Sequence, residues 1–463
     1  VLAGPVHDWH NSAIMPTASS QTSSSSFLPA DDALRQDLHN EVHARPSADV
    51  RLPAWVLYLA VLNEDVSREE EWQQLKKLPG QADLQMPEMT RNFLRLHCDS
   101  FTVKWERHTE FTRYSIVQSL PEVAGLGAKA PSLMPHSVLP AKWLAGLPGR
   151  TFAAIHVAMV HGDLNAQDAL LAQAQDWFGL GALVQSQMGN NLQGQAHSWV
   201  VTNFKLGDDG FERMLVIAPP DTSPARAGRI SQRLLEIETY RLMALRGLPV
   251  AKELGPMLAH AEDALASITA SLENKSTSDQ SLLDTLISLA ARIERATAQH
   301  MYRFSATRAY DAIVSQRIAQ LHERAIAGTP TIGEFMQRRL SPAIGTVSAT
   351  AQRLASLSER ITRTSALLRT RVDIATEGQN QQLLEKLTRG QALQLRLQTT
   401  VESLSIAAIS YYVVSLILYG TKAMKAAGVP IQPEVAAGVS IPLVLWAVWR
   451  ATRHIHRKIH LTH

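Results

Sequence analysis

Two short polar stretches hold residue types that can do chemistry at a useful spacing. The first is LHNEVHARP, residues 38–46. Read as a helix, it sets His39 and His43 four residues apart on one face, a spacing that can chelate a metal such as Zn2+. Glu41 then points elsewhere, and a third ligand has to come from another segment. Read as a strand, it puts His39, Glu41 and His43 on one face as a two-His-one-carboxylate set. The apolar spacing favours the helix. Leu34, Leu38 and Val42 recur every four residues, Asp31 or Asp32 can cap the start, and Pro46 stops the continuation. A helix over 32–44 is therefore expected. The competing reading is purely structural: His43 and Arg45 sit in the last turn, complement the helix dipole and cap its carbonyls.

The second stretch is WERHTEF, residues 105–111. On a continuous strand Glu106, His108 and Glu110 share a face, and such a row can bind a cation or shuttle a proton. The structural alternative makes Glu106 and Glu110 salt-bridge partners of Arg45 or Arg107 on the sheet surface. If the two stretches meet, His39, His43, Glu106, His108 and Glu110 are the candidate ligands of a divalent metal. A third tract, HIHRKIH, places His454, His456 and His460 beside basic residues, and reads better as a lipid-headgroup anchor than as a metal site. The sequence holds no GxxxxGK[ST] phosphate loop, no HExxH and no GxSxG in a strand-to-helix context. No residues are assigned a catalytic role, and a non-enzymatic protein is the favoured expectation.

These side chains need elements to hold them. Strand-like runs occur at 54–62, 92–98, 101–108, 110–118, 151–160, 182–189, 196–204 and 211–218, with helical stretches at 67–78 and 165–177. The mixture predicts an α/β (α+β) domain with a mixed sheet over 31–222. It follows a Ser-rich leader, 1–30, that lacks the basic n-region and apolar core of a signal peptide. Past Pro224 strand signals stop. A long-helix stalk is expected over 223–402, with breaks near 247–249, 274–279, 328–330 and 341–342. With 45 basic against 42 acidic residues, the charge balance gives no support for a nucleic-acid partner, and the single Cys98 fits a reducing compartment.

The last third carries the strongest pattern. Leu383, Leu387, Gly390, Gln394, Leu397, Val401, Leu404, Ala408 and Tyr411 recur in alternating steps of four and three, a heptad seam weakened at Gly390 and Gln394. It runs without a helix breaker into an uncharged segment. Two such segments, 403–420 and 435–449, form a transmembrane hairpin over 403–449, followed by a basic tail, 450–463. Arg450, Arg453, Arg457 and Lys458 follow the second segment and Arg389 and Arg396 precede the first, whereas the loop between them has only Lys422 and Lys425. The positive-inside rule places both termini in the cytoplasm. A seam that continues into the bilayer predicts several copies around an axis, lined by Leu397, Val401, Leu404, Ala408 and Tyr411, with packing inside one chain as the alternative.

Three stretches together resemble an uncharacterised bacterial membrane-protein family, domain of unknown function family 3422. They are LHNEVHARP, WERHTEF, and LLRTRVDIATEGQNQQLL (367–384) running into TTVESLSIAAISYYVVSLILYG (399–420). The likeness extends from Asp32 to His456 and implies an inner-membrane protein without implying an activity. The layout also looks like that of CorA-type divalent-cation channels, which are homopentamers. In those channels the first span ends in Tyr-Gly-Met-Asn. Here Tyr419 and Gly420 match, Pro433-Glu434 matches the loop, and Pro442 lies early in the second span, but Thr421 and Lys422 replace Met-Asn. A ring of Lys422 at the outer mouth would repel Mg2+, so the likeness implies an oligomeric channel layout with altered selectivity. A membrane-anchored metal-binding enzyme or sensor built on the five His and Glu residues, and a non-conducting scaffold, are the alternative functions.

Overall fold

Nine consecutive residues, AWVLYLAVL, carry no charge and are dominated by β-branched, aromatic and aliphatic side chains. They form β1 (Ala54–Leu62), buried on both faces, as expected of a strand in the middle of a covered sheet. The structure, a computed structural model, describes residues 32, 34, 35, 38, 48–85, 92–179, 181–189, 196–274, 278–428 and 430–459. It divides into two compact units. One comprises 1–258 with 296–355, the other 259–295 with 356–463.

The first unit is built on one nine-stranded sheet. Its strands are β1, β2 (Phe93–His97), β3 (Phe101–Arg107), β4 (Phe111–Ser119), β5 (Arg150–His161), β6 (Val184–Gly189), β7 (Ala196–Leu206), β8 (Glu212–Ala218) and the two-residue β9 (Glu323–Arg324). Their order is β2-β3-β4-β1-β5-β8-β7-β6-β9, and among the described residues β5 with β8 is the only parallel pair. The order exposes an internal repetition. β1 leads through α1 (Arg68–Lys76) to three strands that return to β1, and β5 leads through α3 (Gln167–Phe178) to three strands that return to β5. The two halves abut through β1 and β5. α1 begins with a capping box in which Ser67 and Glu70 satisfy each other's backbone N–H.

Alternation along the strands sends two sets of side chains to opposite faces. Trp55, Leu57, Leu59 and Val61 join Trp72, Trp143 and Trp177 under α1, α2 (Ala141–Ala145) and α3. Ala54, Val56, Tyr58 and Ala60 join Ile230, Leu234 and Ile237 of α4 (Pro224–Leu245), Val314 of α6 (Asp279–Ala319) and Met336 of α7 (Ile332–Arg339). The mixed-sheet domain is thus a three-layer arrangement. The sheet boundary expected at residue 222 falls inside this unit, because α4 supplies the second face. A backbone approach fixes α4 on its neighbour: a Cβ on Gly228 would lie 1.6 Å from the Ala48 carbonyl oxygen.

In the second unit, the end of α5 (Gly247–Asn274) and the start of α6 are joined by a stretch of α8 (Ser341–Ala426). Leu265, Ile268, Leu282, Leu286, Leu289 and Ile293 are buried there with Leu357, Ile361 and Leu368. Arg371 closes this apolar set: its Nη1 donates to the Leu272 carbonyl at 2.8 Å, and its Nε lies 3.0 Å from Asp279 Oδ2. α8 then continues unbroken for the rest of its 86 residues, and α9 (Pro433–Ile459) follows.

Candidate functional site

Past Arg371 the apolar residues along the α8 seam are largely exposed among the described residues. Leu383, Leu387, Leu397, Val401, Leu404 and Tyr411 are each between 58% and 73% exposed. Ala408 is exposed as well. The alternation of four and three, carried on from Tyr411, reaches Ser415, Leu418 and then Lys422. A bare helix of this polarity, crossed by one leucine seam, gains little from propensity alone and is stabilised by burying that seam.

Two helical segments are long and apolar enough to cross a membrane: the end of α8 and Pro433–Thr452 of α9. Only 6% of each apolar window is buried, which argues against a buried core pair. Burial of Ser410 on α8 and of Ala437 and Val444 on α9 marks the stripe along which the two face each other, with small residues at two of the three positions. The seam lies off this stripe. The chain turns at Gly428, whose φ of 95° suits a residue without a Cβ, and its N–H donates to the Lys425 carbonyl at 3.1 Å. Tyr419, Gly420 and Lys422 are exposed near this turn, while the Thr421 hydroxyl donates back to the Ile417 carbonyl at 2.8 Å. The Lys422 ammonium sits 5.9 Å from the Tyr419 ring centre, and the Arg450 guanidinium 5.2 Å from the Trp446 ring centre at the far end of α9.

Of the other expected cluster, the fold describes Glu106, His108 and Glu110 and does not give them the expected common strand face. His39 and His43 lie outside the described residues. The strand through WERHTEF is not continuous: β3 stops at Arg107, β4 starts at Phe111, and His108, Thr109 and Glu110 form the connection. The shared face expected for Glu106, His108 and Glu110 is therefore lost. Glu106 is buried opposite Arg113 of β4, which holds it bidentately, with Nη2 at 2.9 Å from Oε1, and Lys104 Nζ is 3.2 Å away. Burial opposes the Glu106 charge, but Arg113 and Lys104 outweigh it and hold its carboxyl down at about 2. Burial pulls the Lys104 pKa down in turn. His108 stacks on Phe111, ring centres 4.6 Å apart. Glu110 pairs with Arg303 of α6 and accepts from the Tyr310 hydroxyl at 2.5 Å. Arg107, a proposed partner of these glutamates, instead reaches Glu71 of α1 at 2.8 Å. Among the described residues no group of three or more His, Cys, Asp and Glu side chains is placed to hold a metal ion.

Sequence reasoning misses two further buried polar groups. His156 of β5 accepts at Nδ1 from the Trp55 indole at 3.2 Å, stacks on Phe211 and has Asp209 Oδ2 3.7 Å from Nε2. That donor requires an unprotonated Nδ1, and burial accordingly pushes the His156 pKa down to about 4. Glu212 and Glu238 share a buried site with Arg241, where burial and the neighbouring carboxylate raise the Glu212 pKa. A lone His in an apolar strand is the available signal for His156. Nothing in one dimension pairs Glu212 with Glu238.

A family model described as protein of unknown function (DUF3422) matches residues 30–459. The chain belongs to this family. No curated protein and no solved structure matches it. In this DUF3422 chain LHNEVHARP lies, apart from Leu38, outside the described residues, and the other motifs that carry the resemblance map onto distinct structures. WERHTEF is the β3–β4 connection with its ion pairs, LLRTRVDIATEGQNQQLL is the stretch of α8 that leaves the helical core at Leu368 and Arg371, and TTVESLSIAAISYYVVSLILYG is the first apolar segment.

Proposed function

We propose that this protein is an integral protein of the bacterial inner membrane that assembles through α8 into a homo-oligomer with a CorA-like channel layout, ions passing along the α8 axis. The α9 hairpin partner faces lipid, and both termini and the sheet unit lie in the cytoplasm. The observation that carries this reading is the bare heptad seam. It is apolar, exposed, off the α8–α9 stripe, and continuous from a charged segment into an uncharged one. A seam of this kind is self-complementary around a symmetry axis, so a second copy of the same helix covers it. Lys422 falls on the same line and puts a ring of ammonium groups at the outer end, which favours anions over Mg2+. The basic residues flanking the two apolar segments support the orientation.

Cysteine cross-linking in native membranes tests the assembly. In a Cys98→Ser background, Leu397→Cys on the seam is expected to give a ladder of covalent multimers on oxidation, whereas Leu395→Cys, nearly on the opposite side of the helix, gives monomer. Equal cross-linking at both positions, or none at Leu397→Cys, would remove the axis from the proposal.

A further inference from the structure

We propose that the first unit binds a phosphate-bearing anion in a polar hollow between α4 and the end of α6. The hollow, of about 210 Å³, is lined by Arg229, Gln232, Arg233, Glu236, Arg317 and Gln320. At about 30 Å³ per water, it exceeds one phosphate group and leaves room for a small organic substituent. Its walls are cationic. Arg226, Arg229 and Arg233 recur along one side of α4 at steps of three and four, and Arg317 comes from α6.

The single carboxylate of the lining does not balance these charges. Glu236 is engaged by Arg317 Nε at 2.5 Å and by Gln232 Nε2 at 2.8 Å, and Arg113 Nη2 lies 3.8 Å away from the sheet side. Arg233 is left with a carbonyl, its Nη1 donating to Gln320 O at 3.2 Å, and Arg317 Nη1 donates to Gln320 Oε1 at 3.1 Å. Arg229 is exposed and has no hydrogen bond or ion pair among the described residues. The excess is visible in its neighbours. Burial and then Arg229 and Arg317 depress Arg233, and burial and then Arg226, Arg233 and Arg229 depress His197. Holding like charges this close is unfavourable unless an anion enters. Guanidinium forks match the paired oxygens of a phosphate, which supplies two negative charges to two or three arginines. Gln232 contributes an acceptor: with Nε2 committed to Glu236, its buried Oε1 has no donor, and the hydroxyl of a hydrogen phosphate or of a substituent would supply one.

Calorimetric titration of the full chain in detergent with inorganic phosphate, against sodium chloride at matched ionic strength, tests the site. Saturable phosphate binding is expected. Arg229→Gln/Arg233→Gln should weaken it at least about tenfold, the loss of roughly 1.4 kcal/mol or more of charge-assisted hydrogen bonding. Arg360→Gln, a surface change on α8, should leave it unchanged. Arg229→Gln alone removes no protein contact, so it keeps the test open if the double variant does not fold, and at least a threefold loss is expected of it. A parallel titration with glycerol phosphate separates the sources. Tighter binding than inorganic phosphate assigns the hollow to a phosphomonoester, and equal or weaker binding assigns it to the free ion. Absence of binding beyond the chloride reference, or equal affinity in the arginine variants, overturns the proposal.

Discussion

The sheet unit and the exposed part of α8 handle the same problem in opposite ways. Inside the sheet unit both strands of the central pair β1–β5 are covered on both faces, and buried charges are paired, Glu106 with Arg113 and Lys104, Glu71 with Arg107, Glu238 with Arg241, while Glu212 beside Glu238 is pushed toward its neutral form. Along α8 beyond Arg371, the seam leucines from Leu383 to Leu404 stand exposed at regular intervals. The contrast teaches that one region completes its core within a single chain, while the other has a regular sequence pattern whose apolar side chains stay exposed. Regular burial in one and regular exposure in the other are both consequences of periodicity, at two residues in the strands and three and a half in the seam.

The largest effect expected from this contrast comes from breaking a charge match inside the sheet unit. Glu106→Gln leaves Arg113 and Lys104 buried without their anion, and should cost roughly 3–5 kcal/mol of stability, read as a large fall in the midpoint of chemical denaturation. A midpoint within error of the parent would show that the buried pairs are not what closes this unit.

His156 gives the next effect, through pH. Its folded pKa of about 4 lies below the ordinary histidine value near 6.5, so the unfolded chain binds the extra proton first. The stabilising contribution of the neutral ring is present in full above pH 6.5 and is lost as pH falls from 6.5 through 4. The shift corresponds to up to about 3 kcal/mol over that window. His156→Gln keeps an acceptor for Trp55 and removes the titration. Denaturation series from pH 7.5 to 4 should show the parent losing stability more steeply than the variant, and parallel slopes would contradict the assignment.

The smallest effect sharpens the other side of the comparison. Leu397→Asp places a charge on the seam without touching a buried residue of its own chain. Self-association, measured by analytical ultracentrifugation in detergent, should weaken by at least about tenfold, near 1.4 kcal/mol. The denaturation midpoint of the sheet unit should not move. If that midpoint fell as well, the rod would not be the separate, intermolecular surface that its exposure suggests.

Much of the fold is legible in the amino-acid sequence. All eight expected strand runs fall on β1 to β8 within two residues at their ends, because period-two alternation and turn residues are local signals. β9 escapes such a reading: two residues, Glu323 and Arg324, carry no periodicity and become a strand only by pairing with β6. The site residues are harder. Glu106 and Glu110 stand out as chemically capable, but the break at His108 is not visible in WERHTEF. Their partners Arg113 and Arg303 are chosen by sheet register and by the docking of a helix some two hundred residues away.

The sequence by itself determined the elements, the change from strand to helix after Pro224, the two uncharged segments and the seam that enters the first of them, since each is written in spacing along one helix or strand. Only the tertiary structure decided the strand order, the inclusion of α4 in the sheet unit, the pairing of the buried charges and the separation of the seam from the α8–α9 stripe. Those depend on which faces meet, and the choice is made by burial and electrostatics summed over residues far apart in the chain.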